Sequence, residues 1–173
     1  MLQLAYQHQE NLKKLFAEKM IEEKFKYYVA GWYVNYSIEL DNNSWNNLEY
    51  VSIDKASKIL GFLQAGIDRT SNRVSDLKII NFYDTDMIFS RDFMRFLRML
   101  FEELNFNKIN FSVVVGNPAE KMYDKYIEKF GGRIVGIKKE HTRLLDGKLY
   151  DMKLYEILNR QEENKDEIYG KQT

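Results

Sequence analysis

The sequence lacks cysteine and has one proline, no excess charge of either sign and no long apolar run. Without cysteine the chain has no disulfide, no thiolate metal ligand and no cysteine nucleophile. Lys plus Arg and Asp plus Glu number 26 each and are dispersed, which argues against a nucleic-acid-binding surface. A membrane span needs roughly 20 apolar residues, and the N-terminus lacks the basic and apolar segments of a signal peptide. We therefore expect a cytoplasmic protein that binds neither nucleic acid nor membrane.

One continuous domain is expected over residues 1–158, followed by a polar tail over residues 159–173. No proline-, glycine- or serine-rich linker and no internal repeat divides the first segment, and 45% hydrophobic residues can supply its core. The tail is nearly all polar or charged, which is typical of a segment without a packed core. The two histidines, His8 and His141, lie on different predicted elements, so no metal site is expected.

The first half of the sequence predicts a strand, a helical region and a three-stranded meander. Leu2–Tyr6 is a candidate strand. Apolar residues at helical spacing then run from Leu12 to Tyr36 and stop before turn-forming residues 41–44. Three strand-like runs with short polar connections follow, which predicts antiparallel neighbours. These runs are Leu48–Asp54, Ile59–Asp68 and Val74–Tyr83.

A helix and a parallel strand are predicted next. Apolar residues from Phe93 to Leu104 recur at helical spacing, and Ser90 is a candidate N-cap. The strand Lys108–Gly116 follows this helix. A strand–helix–strand crossover makes it parallel to the strand that ends at Tyr83.

The chain then predicts one more helix and a hairpin. Asn117, Pro118 and Glu120 suit the start of a helix, and Gly131-Gly132 suits its end. Asp146-Gly147 separates two strand-like runs in the manner of a hairpin turn. These runs are Gly132–Leu145 and Lys148–Leu158.

Three motifs resemble the GCN5-related N-acetyltransferase superfamily. Val113–Asn117, followed by Ala119 and Tyr123, resembles the family's fifth strand, its terminal Asn and the next helix. Asp146-Gly147 with Asp151 resembles the last hairpin, and Ile59–Leu63 resembles the third strand. The resemblance implies an α/β (α+β) fold. It would have a central mixed, mostly antiparallel sheet of about seven strands, one parallel β-α-β crossover and helices on both faces.

The resemblance also implies an acetyl-CoA-dependent N-acetyltransferase in which an amine attacks the thioester directly. In the family, acetyl-CoA lies where strands four and five splay apart. Amides of strand four polarise the carbonyl, and the start of the next helix binds the pyrophosphate. The cofactor-binding positions implied for this sequence are Asn81, Phe82, Tyr83, Ser90, Arg91 and Asn117.

A tyrosine on the helix after strand five often reprotonates the departing thiolate in this family. The spacing from Ala119 selects Tyr123, whereas counting back from Gly131 selects Tyr126. Packing in the core is the other explanation for both rings. No general base is assigned, because several carboxylates lie on or beside the central strands. They are Glu49, Asp54, Asp76, Asp84 and Asp86.

The sequence departs from the family at the pyrophosphate turn, because no glycine lies between Gly66 and Gly116. Glycine allows close approach of the backbone to a phosphate. The alternative is therefore a non-catalytic protein of the same fold, and an unrelated α/β binding module is a third possibility. The acceptor would be a small-molecule or protein amine, bound in an aromatic pocket. The same rings could instead form core or a homodimer face: Trp32, Tyr33, Tyr36 and Trp45.

Overall fold

The described part of the chain forms one mixed β-sheet. A computed structural model describes residues 1–28, 37–41, 45–83 and 87–159. Its strands are β1 (Leu2–Leu4), β2 (Asn47–Ile53), β3 (Ile59–Asp68), β4 (Arg73–Asn81), β5 (Lys108–Val114), β6 (Arg133–Arg143) and β7 (Leu149–Leu158). Within these residues the strand order is β1-β2-β3-β4-β5-β7-β6. The β4–β5 pair is parallel, and the other five pairs are antiparallel.

Helices cover both faces of this sheet. The α-helices in the described residues are α1 (Gln9–Met20), α2 (Met87–Arg98) and α3 (Glu120–Phe130). Helix α1 lies between two short 3-10 helices, Ala5–His8 and Glu23–Tyr28, and α2 continues into a π-helical turn at Met99–Glu103. Since α2 connects β4 to β5, it forms the predicted parallel crossover.

Each face of the sheet has its own hydrophobic core. On β4, Ile79 belongs to one core and Ile80 to the other, because successive side chains of a strand point to opposite faces. Helices α2 and α3 pack on the Ile79 side, with Phe93, Phe96, Leu97, Leu100, Tyr123 and Ile127 in the core. Helix α1 and the 3-10 helix Glu23–Tyr28 pack on the Ile80 side, with Leu12, Phe16, Met20 and Phe25 in the core.

The predicted fold class is confirmed, including the seven strands, the single parallel pair and the helices on both faces. Several boundaries differ from the prediction. The first strand ends at Leu4, because Ala5 begins a 3-10 helix, and β4 ends at Asn81. Helix α2 begins at Met87, so Ser90 lies inside its first turn and is not the N-cap. Of the predicted first helical region, residues 29–36 lie outside the described residues.

The predicted hairpin is confirmed between β6 and β7. Asp146 Oδ1 accepts a hydrogen bond from the Lys148 N–H at 3.0 Å, and Gly147 adopts φ 77°. Strand β7 ends at Leu158, and the Asn159 N–H donates to Asn107 O at 2.9 Å. The predicted tail lies outside the described residues from residue 160 onward. None of the helices described here has the length and apolar character needed to cross a membrane.

Candidate active site

A gap opens in the middle of the sheet between β4 and β5. Within these two fully described strands, only Arg73 with Lys108 and Val74 with Ile109 are paired. Farther along, β4 stays paired with β3, and β5 stays paired with β7. The two parallel strands are therefore each held on their outer side and diverge beyond Val74.

Backbone amides of β4 face this gap. The Phe82 N–H donates to Leu60 O on β3 at 3.0 Å. Because alternate N–H groups of a strand point to opposite neighbours, the Ile79 and Asn81 amides point into the gap. The Tyr83 N–H donates to Asn81 Oδ1 at 3.2 Å. Of the three amides predicted to polarise a carbonyl, only that of Asn81 faces the gap. The Phe82 amide is hydrogen-bonded within the sheet. The Ile79 amide was not predicted, but it faces the gap because it lies two residues from Asn81 on the same strand.

A first cavity, cavity 1, lies between the start of α2, the start of α3 and the 3-10 helix Glu23–Tyr28. Its volume is about 420 Å³ and its walls are largely apolar. Four of the predicted cofactor-binding residues line it, namely Asn81, Tyr83, Ser90 and Asn117. The other lining residues are Lys24, Phe25, Tyr28, Ile79, Phe89, Phe93, Pro118, Ala119, Met122 and Tyr123.

A second cavity, cavity 2, of about 180 Å³ adjoins the same gap. Four residues line both cavities: Tyr28, Ile79, Asn117 and Tyr123. The remaining residues of cavity 2 are Tyr27, Asp76, Leu77, Lys78, Ser112, Val113, Val114 and Met152. Molecules held in the two cavities would therefore meet at the gap, beside Asn117 and Tyr123.

No protein-family model and no curated protein matches this chain. Solved structures do match it. The spermidine N-acetyltransferase of Vibrio cholerae in complex with CoA and spermine aligns with a TM-score of 0.70 and 20% identity, over 93% of this chain and 96% of that one. A probable acetyltransferase aligns with a TM-score of 0.68 and 15% identity, over 92% and 93% of the chains. A mutant of the Vibrio cholerae enzyme is 25% identical over 72% of this chain and 71% of that one, with a TM-score of 0.58.

The chain has the fold of the GCN5-related N-acetyltransferase superfamily. The sequence-based recognition of this fold is confirmed. Each described residue that the resemblance implies has a defined position relative to the gap.

Asn117 shapes the turn between β5 and α3. Its Oδ1 accepts the Ala119 N–H at 2.9 Å, and its carbonyl accepts the Glu120 N–H at 2.9 Å. The Glu120 carboxylate in turn accepts the Gly116 N–H at 3.1 Å, where Gly116 has φ 93°. The N-cap of α3 is Ala119, which makes no side-chain cap hydrogen bond, so the predicted N-cap at Asn117 is wrong. The Asn117 and Glu120 side chains instead hold the turn that precedes the helix. This turn carries Asn117 to the boundary of both cavities.

Tyr123 lies on the inner side of α3 and is 6% exposed. Its ring packs edge-on against Phe111 and Tyr155, with centroid distances of 5.3 and 6.2 Å. Burial raises the pKa of the Tyr123 phenol well above its usual range, and nearby groups including Tyr28 and Asp76 add to this. The hydroxyl is therefore protonated at neutral pH and can donate a proton or a hydrogen bond.

Tyr126, the alternative tyrosine, lies farther from the gap. Its ring packs on Phe93 at 5.3 Å, and it lines neither cavity 1 nor cavity 2. Burial raises its pKa as well. Of the two candidates, the geometry therefore favours Tyr123.

A buried lysine, missed by the sequence reasoning, anchors α3 to β7. Lys153 Nζ donates to both Asp124 oxygens at 2.7 and 3.0 Å and to Glu120 Oε1 at 3.2 Å. The Tyr155 hydroxyl donates to Asp124 at 2.9 Å. Burial opposes the charge of Lys153, but the two carboxylates outweigh it and raise the lysine pKa. The sequence does place two carboxylates, Glu120 and Asp124, four residues apart on one predicted helix, and this spacing brings them onto the same face.

The start of α2 packs closely on β3 through a glycine. A Cβ on Gly61 would come within 2.1 Å of the Phe89 ring, which lies in the first turn of α2 and lines cavity 1. Ser90 lines cavity 1 from the same turn, whereas Arg91 is exposed and lies outside its lining. The close packing of α2 on β3 therefore depends on the absence of a side chain at Gly61.

The candidate carboxylates that the structure describes lie at three different places. Asp76 lines cavity 2, whereas Glu49 lines a third cavity, cavity 3, together with Asp41. Asp54 accepts amide hydrogen bonds from Ala56 and Lys58 in the β2–β3 turn. Asp84 and Asp86 lie outside the described residues. Asp76 is thus the described candidate that reaches the gap.

Only part of the predicted aromatic pocket lies among the described residues. Trp32, Tyr33 and Tyr36 lie outside the described residues. Trp45 is 63% exposed and lies against Arg69, away from cavities 1 and 2. Tyr27 and Tyr28 supply the aromatic wall instead. In the described part of the chain, no three His, Cys, Asp or Glu side chains are grouped to hold a metal.

Proposed function

We propose that this protein is an N-acetyltransferase that transfers an acetyl group from acetyl-CoA to an amine. The proposal rests on the gap between β4 and β5. Two cavities adjoin this gap, and Tyr123 lines both of them. The structural neighbour in complex with CoA and spermine supports both reactant classes, a CoA thioester and an amine.

The acyl donor occupies cavity 1 in this proposal. The walls around Phe25, Phe89 and Phe93 suit the uncharged pantetheine arm, and Lys24 adds a positive charge to the lining. The amides of Ile79 and Asn81 point into the gap, where they can donate to the thioester carbonyl as negative charge develops on its oxygen. The positive end of the α2 helix dipole, where Ser90 lines cavity 1, can favour the pyrophosphate there.

The acceptor amine enters through cavity 2. The Asp76 carboxylate takes a proton from the ammonium, and the free amine attacks the thioester carbon. The new C–N bond forms as the C–S bond breaks, and the CoA thiolate takes the proton of the Tyr123 hydroxyl. The acetylated nitrogen then loses its second proton, the Tyr123 phenolate regains one, and Asp76 releases to solvent the proton that it took. The products are the N-acetylated amine, CoA and one proton.

The proposal is tested by following CoA release with a thiol reagent, to which the protein itself adds no signal because it has no cysteine. Acetyl-CoA with a panel of primary amines should give equal amounts of free thiol and N-acetylated product. Acetyl-CoA binding without transfer to any amine would support the non-catalytic alternative. Absence of binding at millimolar acetyl-CoA would contradict the transferase and would also agree with the non-catalytic alternative.

A further inference from the structure

We propose that the acceptor carries a carboxylate in addition to its amine, and that Asp76 and Lys78 recognise this zwitterion. The inference rests on the proposed transferase activity. It names a substrate class different from the polyamine seen in the structural neighbour.

Asp76 and Lys78 form a pair of opposite charges on one strand. They lie two residues apart on β4 and therefore on the same face of the sheet, about 7 Å apart along the strand. Both are exposed, and both line cavity 2. The charges of a short amino acid can span such a pair, with its ammonium at Asp76 and its carboxylate at Lys78.

In the part of the chain that the structure describes, no ion pair within 4 Å involves Asp76 or Lys78. Lys78 acts on Glu49 only at longer range, where it partly offsets the pKa increase that burial causes. The Glu49 oxygens already accept hydrogen bonds from the Asp41 N–H at 3.0 Å and from Gln64 at 2.9 Å.

The orientation of the acceptor follows from Tyr123. Among the causes that raise the pKa of Tyr123, after burial and neighbouring tyrosines, is the charge of Asp76. Asp76 and Tyr123 line the same cavity, so we place the ammonium at Asp76 and the carboxylate at Lys78.

The charge of cavity 2 disfavours a polyamine. Its charged lining residues in the described chain are Asp76 and Lys78, one of each sign, so a second ammonium would meet the Lys78 ammonium. Like charges at a binding site are a means of rejecting the wrong partner. The two carboxylates of cavity 3, Asp41 and Glu49, lie outside the linings of cavities 1 and 2.

Three acceptors with the same three-carbon chain separate these possibilities. They are β-alanine, propylamine and 1,3-diaminopropane, each assayed with acetyl-CoA for kcat/KM. We expect β-alanine to exceed propylamine by about 10-fold, the order of one charge-assisted hydrogen bond. We expect 1,3-diaminopropane to be the poorest of the three.

Variants of Lys78 test the assignment of the carboxylate. Lys78→Met should bring β-alanine and propylamine within about twofold of each other, since one ionic hydrogen bond is lost. Lys78→Glu should make 1,3-diaminopropane the best acceptor. Lys55→Met, in the exposed β2–β3 turn, is the matched control and should keep the wild-type order.

Two kinds of result would overturn the inference. If 1,3-diaminopropane exceeds β-alanine with the wild-type protein, or Lys78→Met keeps the wild-type ratio, the zwitterion assignment is wrong while the transferase activity stands. If no amine in this set or in the wider amine panel is acetylated, the proposed function fails together with the inference.

Discussion

At the scale of single residues, the hydroxyl of Tyr123 is the proposed general acid. We expect Tyr123→Phe to lower kcat by about 10²–10⁴-fold, the usual contribution of a positioned acid. Phenylalanine keeps the ring contacts with Phe111 and Tyr155, so the Kd for acetyl-CoA should change little. Steady-state kinetics and calorimetry measure the two quantities separately.

Tyr126→Phe is the matched control on the same helix. Its ring contacts Phe93 and lines neither cavity 1 nor cavity 2, so the change should leave kcat within a few-fold of wild type. A loss under about tenfold at Tyr123 would make it a packing residue, because a positioned acid contributes more than that. A large loss at Tyr126 alone would move the acid to that residue.

The pH dependence of kcat follows from the raised pKa of Tyr123. The acid must be protonated, so its contribution is present at low pH and is lost as pH rises through its pKa. Because burial places that pKa well above the usual tyrosine range, kcat should not fall on the alkaline side below about pH 10. A pH–rate profile measures this. An alkaline decline below about pH 9 that disappears in Tyr123→Phe would contradict the assignment.

At the scale of elements, periodicity in the sequence identified the strands and the two helices that flank β5. Their ends were harder to predict. Ser90 resembles an N-cap, but α2 starts at Met87, and its first turn packs Phe89 onto Gly61 of β3. That contact joins residues far apart in sequence, and local propensity contains no information about it. The point where β4 and β5 separate is equally a tertiary property.

The network around Lys153 fixes α3 on β7, and we expect it to affect turnover. Lys153→Met leaves Glu120 and Asp124 without their shared cation. Glu120 also holds the Gly116 N–H in the turn that carries Asn117. Stability should fall by about 1 kcal/mol, because solvent reaches both carboxylates and replaces part of the lost hydrogen bonding. In addition, kcat should fall more than the Kd for acetyl-CoA rises.

Lys108→Met is the matched control for this prediction. Lys108 pairs with Glu156 and so joins β5 to β7, as Lys153 joins α3 to β7. Neither Lys108 nor Glu156 lines cavity 1 or cavity 2. Urea unfolding should show a loss of stability in both variants, whereas kcat should fall only in Lys153→Met. Equal effects on kcat in the two variants would mean that Lys153 acts only through overall stability.

At the scale of the whole molecule, the site combines residues that the sequence could locate with others that it could not. The motif around Asn117 and Tyr123 predicts residues that line one wall of the gap, and β4 supplies the other. Asp76 could not be chosen from five carboxylates, because the choice depends on which of them faces the gap. Neither Lys78 nor Lys153 could be recognised from the sequence, because the role of each depends on the residues that surround it in the fold.

The last prediction concerns binding of the acyl donor. Acetyl-CoA at 100 times its Kd should stabilise the protein by about 2.7 kcal/mol, which corresponds to a rise in Tm of about 5–10 °C at this chain length. Ala119→Phe projects a ring into cavity 1 and should abolish the shift. Ala56→Phe, in the exposed β2–β3 turn, should keep it. A shift that survives Ala119→Phe would place acetyl-CoA outside cavity 1. The absence of any shift in the wild-type protein would instead mean that the glycine-free start of α2 no longer supports acetyl-CoA binding.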